Sequence, residues 1–566
     1  MNSKSIKNGR LHQTWLKILI VVILITGIFF RFTNLDRKVY SFDESITSLR
    51  ISGYTWTEMV QQDFQGKTIS VQDLQRKYQQ INPEKSWLDT VKGLATEEPQ
   101  LPPLYFILAR FWVQWFGPEV ATVRSLSAWM SLLIFPSVYW LCWELFRSAR
   151  AGWMAVTIMA VSPFHVLYAQ EARPYMMFAV LVLLSNAILL RALAKPAPTG
   201  AAPTKRIALQ KSTATFKSTF KSTFKSTSKL SKGVWLIYAI ALTVGLYCSL
   251  LFFIVILAHG IYVIITENWR VRQTLIAYLL ASAAATLIFA PWIFVLVDNS
   301  PRIAATVGLP HLSLSALSSL KPLIIITCRT FIDTHWAGGI IKLGSSNTTD
   351  SIRLIVAVIL ILAIAHSIYL LCYSTPKRVW LLVLTAIGIT AIVLIAVGGV
   401  ADRYLVPYIL GIQLAVAYLF TAKIATAHNP RQQKLWQLGL IAIISSEIVS
   451  CAVSSQSQLW WNKYPSSTKY NPAVAAIVNQ AQKPLVICHG GNNLTGKILS
   501  VSYLLKPQVE LLLAVKPEQV KIPDGFSDVF LYRSTELLRF ELEQVQKYKI
   551  TPIYPPGDVW LWRLEK

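Results

Sequence analysis

Two adjacent carboxylates stand in the stretch "KVYSFDESITSLR", residues 38–50. Asp43 and Glu44 follow an apolar run, residues 15–33, that is long enough to cross a membrane. A carboxylate at a membrane face could act as a general base that takes a proton from a hydroxyl group. The same residues could instead begin a helix, because Ser41 is a good N-cap and acidic side chains are favoured in a first turn. The pair alone leaves both interpretations open.

Three further groups of polar residues lie beside the ends of apolar runs. They occur in "TEEPQLPPLY", with Glu97 and Glu98, in "SPFHVLYAQEARPY", with Glu171, Arg173 and Tyr175, and in "VADRYLVPY", with Arg403 and Tyr404. Ionisable side chains at membrane depth are costly and therefore point to function. Each group also has a structural interpretation, such as an ion pair between Glu171 and Arg173. Their shared position at span ends makes a common site the hypothesis to test.

The composition indicates a membrane protein that crosses the bilayer many times. Hydrophobic residues make up 54% of the 566 residues and charged residues only 14%, whereas soluble domains carry about 25% charge. The six cysteines form no C-x-x-C pair, and most stand in apolar runs. We therefore expect small buried side chains there, not disulfides or a zinc site. The predicted fold class is an α-helical polytopic membrane protein with a small C-terminal soluble α/β domain.

We predict about eleven transmembrane helices, because each needs about 20 apolar residues. The predicted spans are 15–33, 124–146, 151–169, 174–193, 234–248, 250–267, 273–297, 351–374, 379–397, 404–424 and 435–455. No polar loop separates 234–248 from 250–267. Residues 102–117 and 315–333 are apolar but short, so we place both as interfacial or re-entrant helices on the outer face.

The charges separate between the two predicted sides of the membrane. The predicted inner loops are basic and almost free of acid, whereas the outer segment 34–101 holds ten acidic residues. By the positive-inside rule, the N-terminus at 1–14 is cytoplasmic, and all four polar groups fall on the outer face. Orientation signals thus account for most of the net charge of +26. We therefore exclude nucleic acid as a partner.

The domain organisation follows from the spans. The membrane domain covers residues 15–455, with outer loops at 34–123 and 298–350. The loop 195–232 repeats basic and hydroxylated residues, as in "TFKSTFKSTFKSTSK", and we predict it to be cytoplasmic and disordered. Residues 456–566 alternate helix and strand patterns, with strands predicted at "PLVICHG", "DVFLYRS" and "DVWLWRLEK". An odd number of spans places this extracytoplasmic α/β domain on the same side as the acidic loop.

The order of the motifs resembles the GT-C superfamily of membrane glycosyltransferases. The resemblance rests on "DE" after the first span, "PPLYFILARFWVQWFG", "RSLSAWMSLLIFPSVYWLCWELF", "SPFHVLYAQEARPY" and, late in the chain, "DRYLVPY". Within the superfamily, the chain is most similar to the protein-mannosyltransferase and aminoarabinose-transferase-like group, which is bacterial family 39-like. The motifs cover roughly residues 15–200 and the region around residue 400.

The resemblance implies an inverting glycosyltransferase on the outer face of a bacterial inner membrane. It would move a sugar from a polyprenyl-phosphate donor to a lipid, glycan or protein acceptor. Asp43 matches the acidic residue that acts as general base on the acceptor hydroxyl, and Glu44 completes the pair. Glu98, or Glu97, matches a second acidic site. A divalent metal is the one cofactor that the resemblance allows, with Asp43 and Glu98 as its ligands.

An inverting transfer needs a base for the acceptor and positive charge for the departing phosphate. Arg173 and Arg403 are the candidate ligands of the donor phosphate, because arginine binds phosphate through paired hydrogen bonds. Glu171, Tyr175 and Tyr404 would support them. The prenyl chain of the donor and the surrounding membrane lipid would contact the apolar helices nearby.

Two other functions stay open. A transporter or lipid flippase would also combine many spans with ionisable residues. The halves of the chain show no convincing internal repeat, however, and the charges cluster at one face, not at mid-membrane. A membrane-anchored assembly protein would use residues 456–566 as its working part, although that segment contains no recognisable catalytic set.

Overall fold

The chain is described by a computed structural model. The described residues are 3–194, 229–307, 316–333, 348–427, 429–460, 468–557 and 559–565. Of the loop predicted to be disordered, 195–232, residues 195–228 lie outside the described residues, and residues 229–232 belong to a helix.

Helices dominate the chain up to residue 456. The helices before residue 195 are α1 (Ser3–Phe32), α2 (Phe42–Ile51), α3 (Trp56–Asp63), α4 (Val71–Tyr78), α5 (Trp87–Glu97), α6 (Leu104–Phe116), α7 (Val120–Leu132), α8 (Ile134–Phe146), α9 (Ala149–Val161), α10 (Pro163–Ala169) and α11 (Tyr175–Ala192). The helices that follow are α12 (Lys229–Cys248), α13 (Phe252–Thr266), α14 (Gln273–Asp298), α15 (Ser300–Val307), α16 (Ala316–Arg329), α17 (Thr348–Ser374), α18 (Lys377–Ala396), α19 (Val406–Thr426) and α20 (Pro430–Gln456). A 3-10 turn, Asp402–Tyr404, precedes α19.

Every predicted span lies on a helix or on a pair of consecutive helices. By length and composition, seven helices of the described residues can cross a membrane, with α7 and α8 counted as one. The bent pair α9 and α10 makes an eighth, and α12 and α13 are shorter apolar helices. These helices confirm the predicted helical membrane architecture. Helices suit a lipid environment because each makes its backbone hydrogen bonds within its own segment. The total of eleven spans stays a prediction.

One predicted span, 151–169, is broken in the structure. The helices α9 and α10 meet at an angle of 59°, because Pro163 has no N–H to continue the ladder of α9. Buried Arg31 of α1 donates hydrogen bonds to the carbonyl oxygens of Met159 and Ala160 at this break. The turn that follows α10 contacts the start of α2, where the N–H of Ala172 donates to Glu44 Oε1 at 3.0 Å.

The predicted interfacial segments also form helices, which are α6 within 102–117 and α16 within 315–333. Trp115 and Phe116 at the end of α6 are largely exposed. Exposed aromatic rings are typical of the boundary between water and lipid. The placement of both helices at that boundary stays a prediction.

A six-stranded sheet lies beside the helical part. Its strands are β1 (Gln65–Ser70), β2 (Pro484–His489), β3 (Glu510–Ala514), β4 (Asp528–Tyr532), β5 (Lys549–Tyr554) and β6 (Leu561–Glu565), in the spatial order β1-β3-β2-β4-β6-β5. The central strand β2 is parallel to both β3 and β4, and the remaining pairs are antiparallel. The sequence patterns predicted β2, β4 and β6 but not β1, β3 or β5.

The sheet region and the outer loop share one hydrophobic core. The helices of the C-terminal segment are α21 (Asn471–Val478), α22 (Asn492–Ser502) and α23 (Glu536–Phe540). One face of the sheet packs with α21, α22 and helices α2 to α4 of the outer loop, and the other face packs against α23. The outer loop also supplies β1, so the C-terminal segment does not build its sheet alone.

Candidate active site

The start of α2 sets the position of Asp43. Ser41 is the N-cap, and its Oγ accepts a hydrogen bond from the backbone N–H of Glu44 at 3.3 Å. The N–H of Ser41 donates in return to Glu44 Oε2 at 3.0 Å, which completes a capping box. The helix-start interpretation of this stretch is therefore confirmed. Because Asp43 belongs to the same first turn, the capping box also fixes its backbone.

Glu44 is enclosed by hydrogen-bond donors. Its side chain is fully buried, and Arg124 of α7 donates to both carboxylate oxygens, at 2.7 Å to Oε1 and 2.8 Å to Oε2. The N–H of Ala172 donates to Oε1 at 3.0 Å. Arg124 also donates to the carbonyl oxygens of Leu35, Lys38 and Val39. This pair joins three segments: the start of α2, α7, and the turn at 170–174.

Asp43 has different surroundings from Glu44. Its side chain is 37% exposed, and its Oδ2 lies 3.8 Å from an NH1 of Arg403, which is 17% exposed. Arg173, from the turn at 170–174, contacts the same part of α2, where its NH1 donates to Thr47 Oγ1 at 3.3 Å. The structure thus brings Asp43, Arg173 and Arg403 together from three distant parts of the chain.

The two arginines are held over aromatic rings. Arg403 stacks on Tyr404 at 4.9 Å from the ring centroid, and Arg173 lies 5.9 Å from the ring centroid of Phe106 in α6. Burial opposes the charge on Arg403, but Tyr175, Tyr404 and Asp43 outweigh it and raise the pKa of its guanidinium.

Arg173 keeps its charge in the same way. Burial lowers its pKa, and Tyr175 and Asp43 more than offset that effect, so the pKa of Arg173 is raised above its ordinary value. Within the described ranges, its buried Nε has no hydrogen-bond partner. A buried donor of this kind is available to an anionic ligand.

Of the supporting residues, Tyr175 and Glu171 are buried in or beside the turn at 170–174. The backbone N–H of Arg173 donates to the carbonyl oxygen of Glu171 at 2.8 Å. The carboxylate of Glu171 acts electrostatically on Arg173 and Tyr175. The turn at 170–174 therefore places the guanidinium group of Arg173 near the buried side chains of Glu171 and Tyr175.

Glu97 and Glu98 both pair with Arg50 at the end of α2. The distances from Arg50 are 2.7 Å to Glu97 Oε2 and 3.0 Å to Glu98 Oε2. Glu97 also accepts from the backbone N–H groups of Trp56 and Thr57, so it caps α3. Glu98 is the more open of the two, and its charge acts on Arg173.

The described residues do not fit a divalent cation at this site. They contain no group of three or more His, Cys, Asp or Glu side chains that could hold a metal ion. Arg50 forms an ion pair with Glu98, and Arg403 lies beside Asp43. An arginine therefore already supplies positive charge at each of the two carboxylates. A bound metal stays a prediction from the family resemblance.

Two contributors were not singled out from the sequence. Arg124 begins a predicted span, where a basic residue is typical of an interfacial anchor. Arg50 lies in the last turn of α2 and pairs with both Glu97 and Glu98. The pairing of acidic and basic residues within the outer loop was the only signal available for Arg50.

No family model matches the chain, and no curated protein sequence matches it. Among solved structures, the chain is similar to ArnT from Cupriavidus metallidurans in the apo state, with a TM-score of 0.50 and 13% identity over 98% of this chain and 98% of that chain. ArnT bound to undecaprenyl phosphate aligns with the same TM-score and identity over 97% of this chain and 98% of that chain. The archaeal oligosaccharyltransferase AglB from Archaeoglobus fulgidus aligns with a TM-score of 0.47 and 11% identity, over 98% of this chain and 74% of that chain.

At 13% identity, the likeness to ArnT shows a shared fold. The alignment extends over nearly the whole of both chains, so it includes the sheet region as well as the helices. The fold expected from the order of the sequence motifs is confirmed: the chain has the GT-C fold, which it shares with ArnT.

Proposed function

We propose that the chain is an inverting glycosyltransferase that uses a polyprenyl-phosphate-linked sugar. The observation that carries the proposal is the part-exposed carboxylate of Asp43 beside the guanidinium group of Arg403, with Arg173 at the same helix turn, where it donates to the backbone carbonyl oxygen of Asp43. A base and a cationic phosphate site at one place are what such a transfer requires. The GT-C fold supports this assignment, since ArnT of the same fold was solved with undecaprenyl phosphate.

In the proposed reaction, Asp43 takes the proton from the acceptor hydroxyl. The hydroxyl oxygen forms a bond to the anomeric carbon, while the bond from that carbon to the phosphate oxygen breaks. The electron pair of the broken bond stays on the phosphate, and Arg403 and Arg173 stabilise the added negative charge. Attack from the side opposite the phosphate inverts the anomeric carbon.

Glu44 has no direct part in this scheme, because its oxygens are enclosed by donors. We assign it to positioning. The proposal keeps the orientation predicted from the charges: a cytoplasmic N-terminus and a reaction at the outer face of a bacterial inner membrane. The acceptor and the sugar are left to experiment.

The test is transfer of labelled sugar from a panel of polyprenyl-phosphate sugars in membranes that contain the full chain. Asp43→Asn keeps the shape of the side chain but removes the base, so we expect transfer to fall by about 10²-fold or more. Asp36→Asn is the matched control, because Asp36 is an exposed aspartate on the same segment. Full transfer by Asp43→Asn contradicts the assignment, as does lipid translocation by the wild-type chain without transfer from any donor.

A further inference from the structure

A groove runs between three helices that are long and apolar enough to cross a membrane, α17, α19 and α20. α19 packs against α17 on one side and α20 on the other, while α17 and α20 have little direct contact. The space between them has a volume of about 540 Å³. Its lining is almost wholly apolar and includes Leu360, Phe420, Leu435 and Ile443. Phe331, just after α16, also lines this space.

The dimensions of the groove suit a lipid chain. The lining residues of α20 extend from Gln432 to Ser446, which is about 20 Å at the rise of an α-helix. The hydrocarbon core of a bilayer is about 30 Å thick. The groove is therefore long enough to hold one acyl chain over most of the depth of the hydrocarbon core.

Positive charge lies just beyond the lining residues, where α19 ends and α20 begins. Lys423 lies one helical turn beyond the lining residue Leu419 on the same face of α19. Its ammonium group is 5.7 Å from the ring centroid of Trp436, which itself lines the groove. Arg431 lies one turn before the lining residue Leu435 on α20. Two cations and a tryptophan at a helix end are typical of the headgroup level of a membrane.

We infer that the groove binds a chain of an anionic glycerophospholipid, with its phosphate between Lys423 and Arg431. This site is separate from the proposed donor site. α19 starts directly after Arg403 and reaches the mouth of the groove at its far end, about 30 Å away along the helix. The bound headgroup thus lies on the opposite side of the membrane from Asp43, and the lipid joins α17 to α20.

Substitution of glycines tests the groove itself. A Cβ at Gly439 meets only Phe420, at ordinary contact distances of 3.6 and 4.0 Å, so Gly439→Phe fills the groove without a backbone clash. Gly388→Phe on α18 is the matched control, because a Cβ there meets nothing within 4 Å. The full chain is purified from membranes, and native mass spectrometry measures the mass of the protein together with its bound lipids. We expect wild type and Gly388→Phe to retain one phospholipid, and Gly439→Phe to lose it.

Removal of the cations tests the headgroup, and it does so even where Gly439→Phe fails to fold. Thermal stability is compared in nanodiscs of phosphatidylglycerol and of phosphatidylcholine. The melting temperatures give the apparent affinity for phosphatidylglycerol relative to phosphatidylcholine. We expect this affinity ratio to fall about fivefold for each of Lys423→Ala and Arg431→Ala. Equal stability of the wild type in both lipids overturns the inference. Equal lipid retention by the two glycine variants, or a retained isoprenoid phosphate in place of a phospholipid, also overturns it.

Discussion

Asp43 and Glu44 are consecutive in the chain, yet their carboxylates have different partners. A general base needs a free lone pair and access for the substrate. Glu44 has neither, because Arg124 and two backbone N–H groups enclose its oxygens. Asp43 has both, since it is part-exposed and has Arg403 at 3.8 Å. The first turn of α2 thus holds one accessible carboxylate, which suits the proposed base, and one enclosed carboxylate that joins segments of the fold.

The structural carboxylate leads to a prediction about stability. We expect Glu44→Gln and Arg124→Met each to lower the free energy of unfolding by about 3–5 kcal/mol, because each leaves a buried charge without its partner. The double variant should lose less than the sum of the two. Unfolding in detergent by denaturant, measured for both single variants and the double variant, gives the coupling energy.

The control for that cycle is an exposed pair. Lys549 and Glu565 lie 3.9 Å apart with largely exposed side chains, and exposed pairs contribute about 0–1 kcal/mol. We therefore expect Lys549→Met to change the unfolding free energy little. If Glu44→Gln cost no more than Lys549→Met, the buried pair would not hold the three segments together.

At the scale of single residues, the sequence predicted which charged residues meet at the site. It did not predict that Glu44 would be enclosed by Arg124 while Asp43 stays accessible. Asp43, Arg173 and Arg403 could be named because charge beside an apolar run has a cost that function explains. Arg124 could not, since its contact with Glu44 spans 80 residues and no local pattern indicates it. Long-range ion pairs depend on how the helices pack, and the spacing of residues along the chain does not predict that packing.

The element that positions Asp43 is α2, and its start depends on the capping box. Ser41→Ala removes the acceptor for the Glu44 N–H, so we expect a loss of about 1 kcal/mol in unfolding free energy. Transfer activity should fall as well, because the first turn that carries Asp43 frays. Denaturant unfolding and the sugar-transfer assay measure the two effects.

Ser70→Ala is the matched control for the cap. Ser70 is the N-cap of α4, and its Oγ accepts from the N–H of Asp73 at 3.0 Å. This change should cost a similar amount of stability and leave transfer unaltered. If both variants reduced transfer equally, the position of the first turn of α2 would not be what the reaction depends on.

Elements were predictable where length or periodicity marks them. Spans could be read because about 20 apolar residues have few other uses. The bend at Pro163 was missed, although a proline inside a run signals one. The strand β1, "QGKTIS", is mostly polar, and it pairs with β3 through its backbone, with Ser70 opposite Glu510. Backbone pairing leaves no side-chain pattern for the sequence to show.

Across the whole molecule, the C-terminal segment is joined to the helix that carries Asp43. Ser500 of α22 donates to the carbonyl oxygen of Tyr40 at 2.5 Å, and the rings of Tyr40 and Tyr503 lie 4.6 Å apart. The indole of Trp460 donates to Val39 at 2.7 Å. Deletion of 456–566 would remove these contacts and also the partner of β1. Such a deletion would disrupt the outer loop, so a point change at the interface is the sharper probe.

Gly496 of α22 supplies that point change. A Cβ at this position would lie 2.5 Å from the ring of Phe42, closer than real side chains approach. Gly496→Ala must therefore displace the residue that precedes Asp43, and we expect a loss of about 1–3 kcal/mol in stability together with lower transfer. Gly491→Ala, at the start of the same helix, is the control, because a Cβ there meets nothing within 4 Å. Melting temperature and sugar transfer are measured for both variants. Equal values for the two would show that close docking of the C-terminal segment on α2 is not required for the reaction.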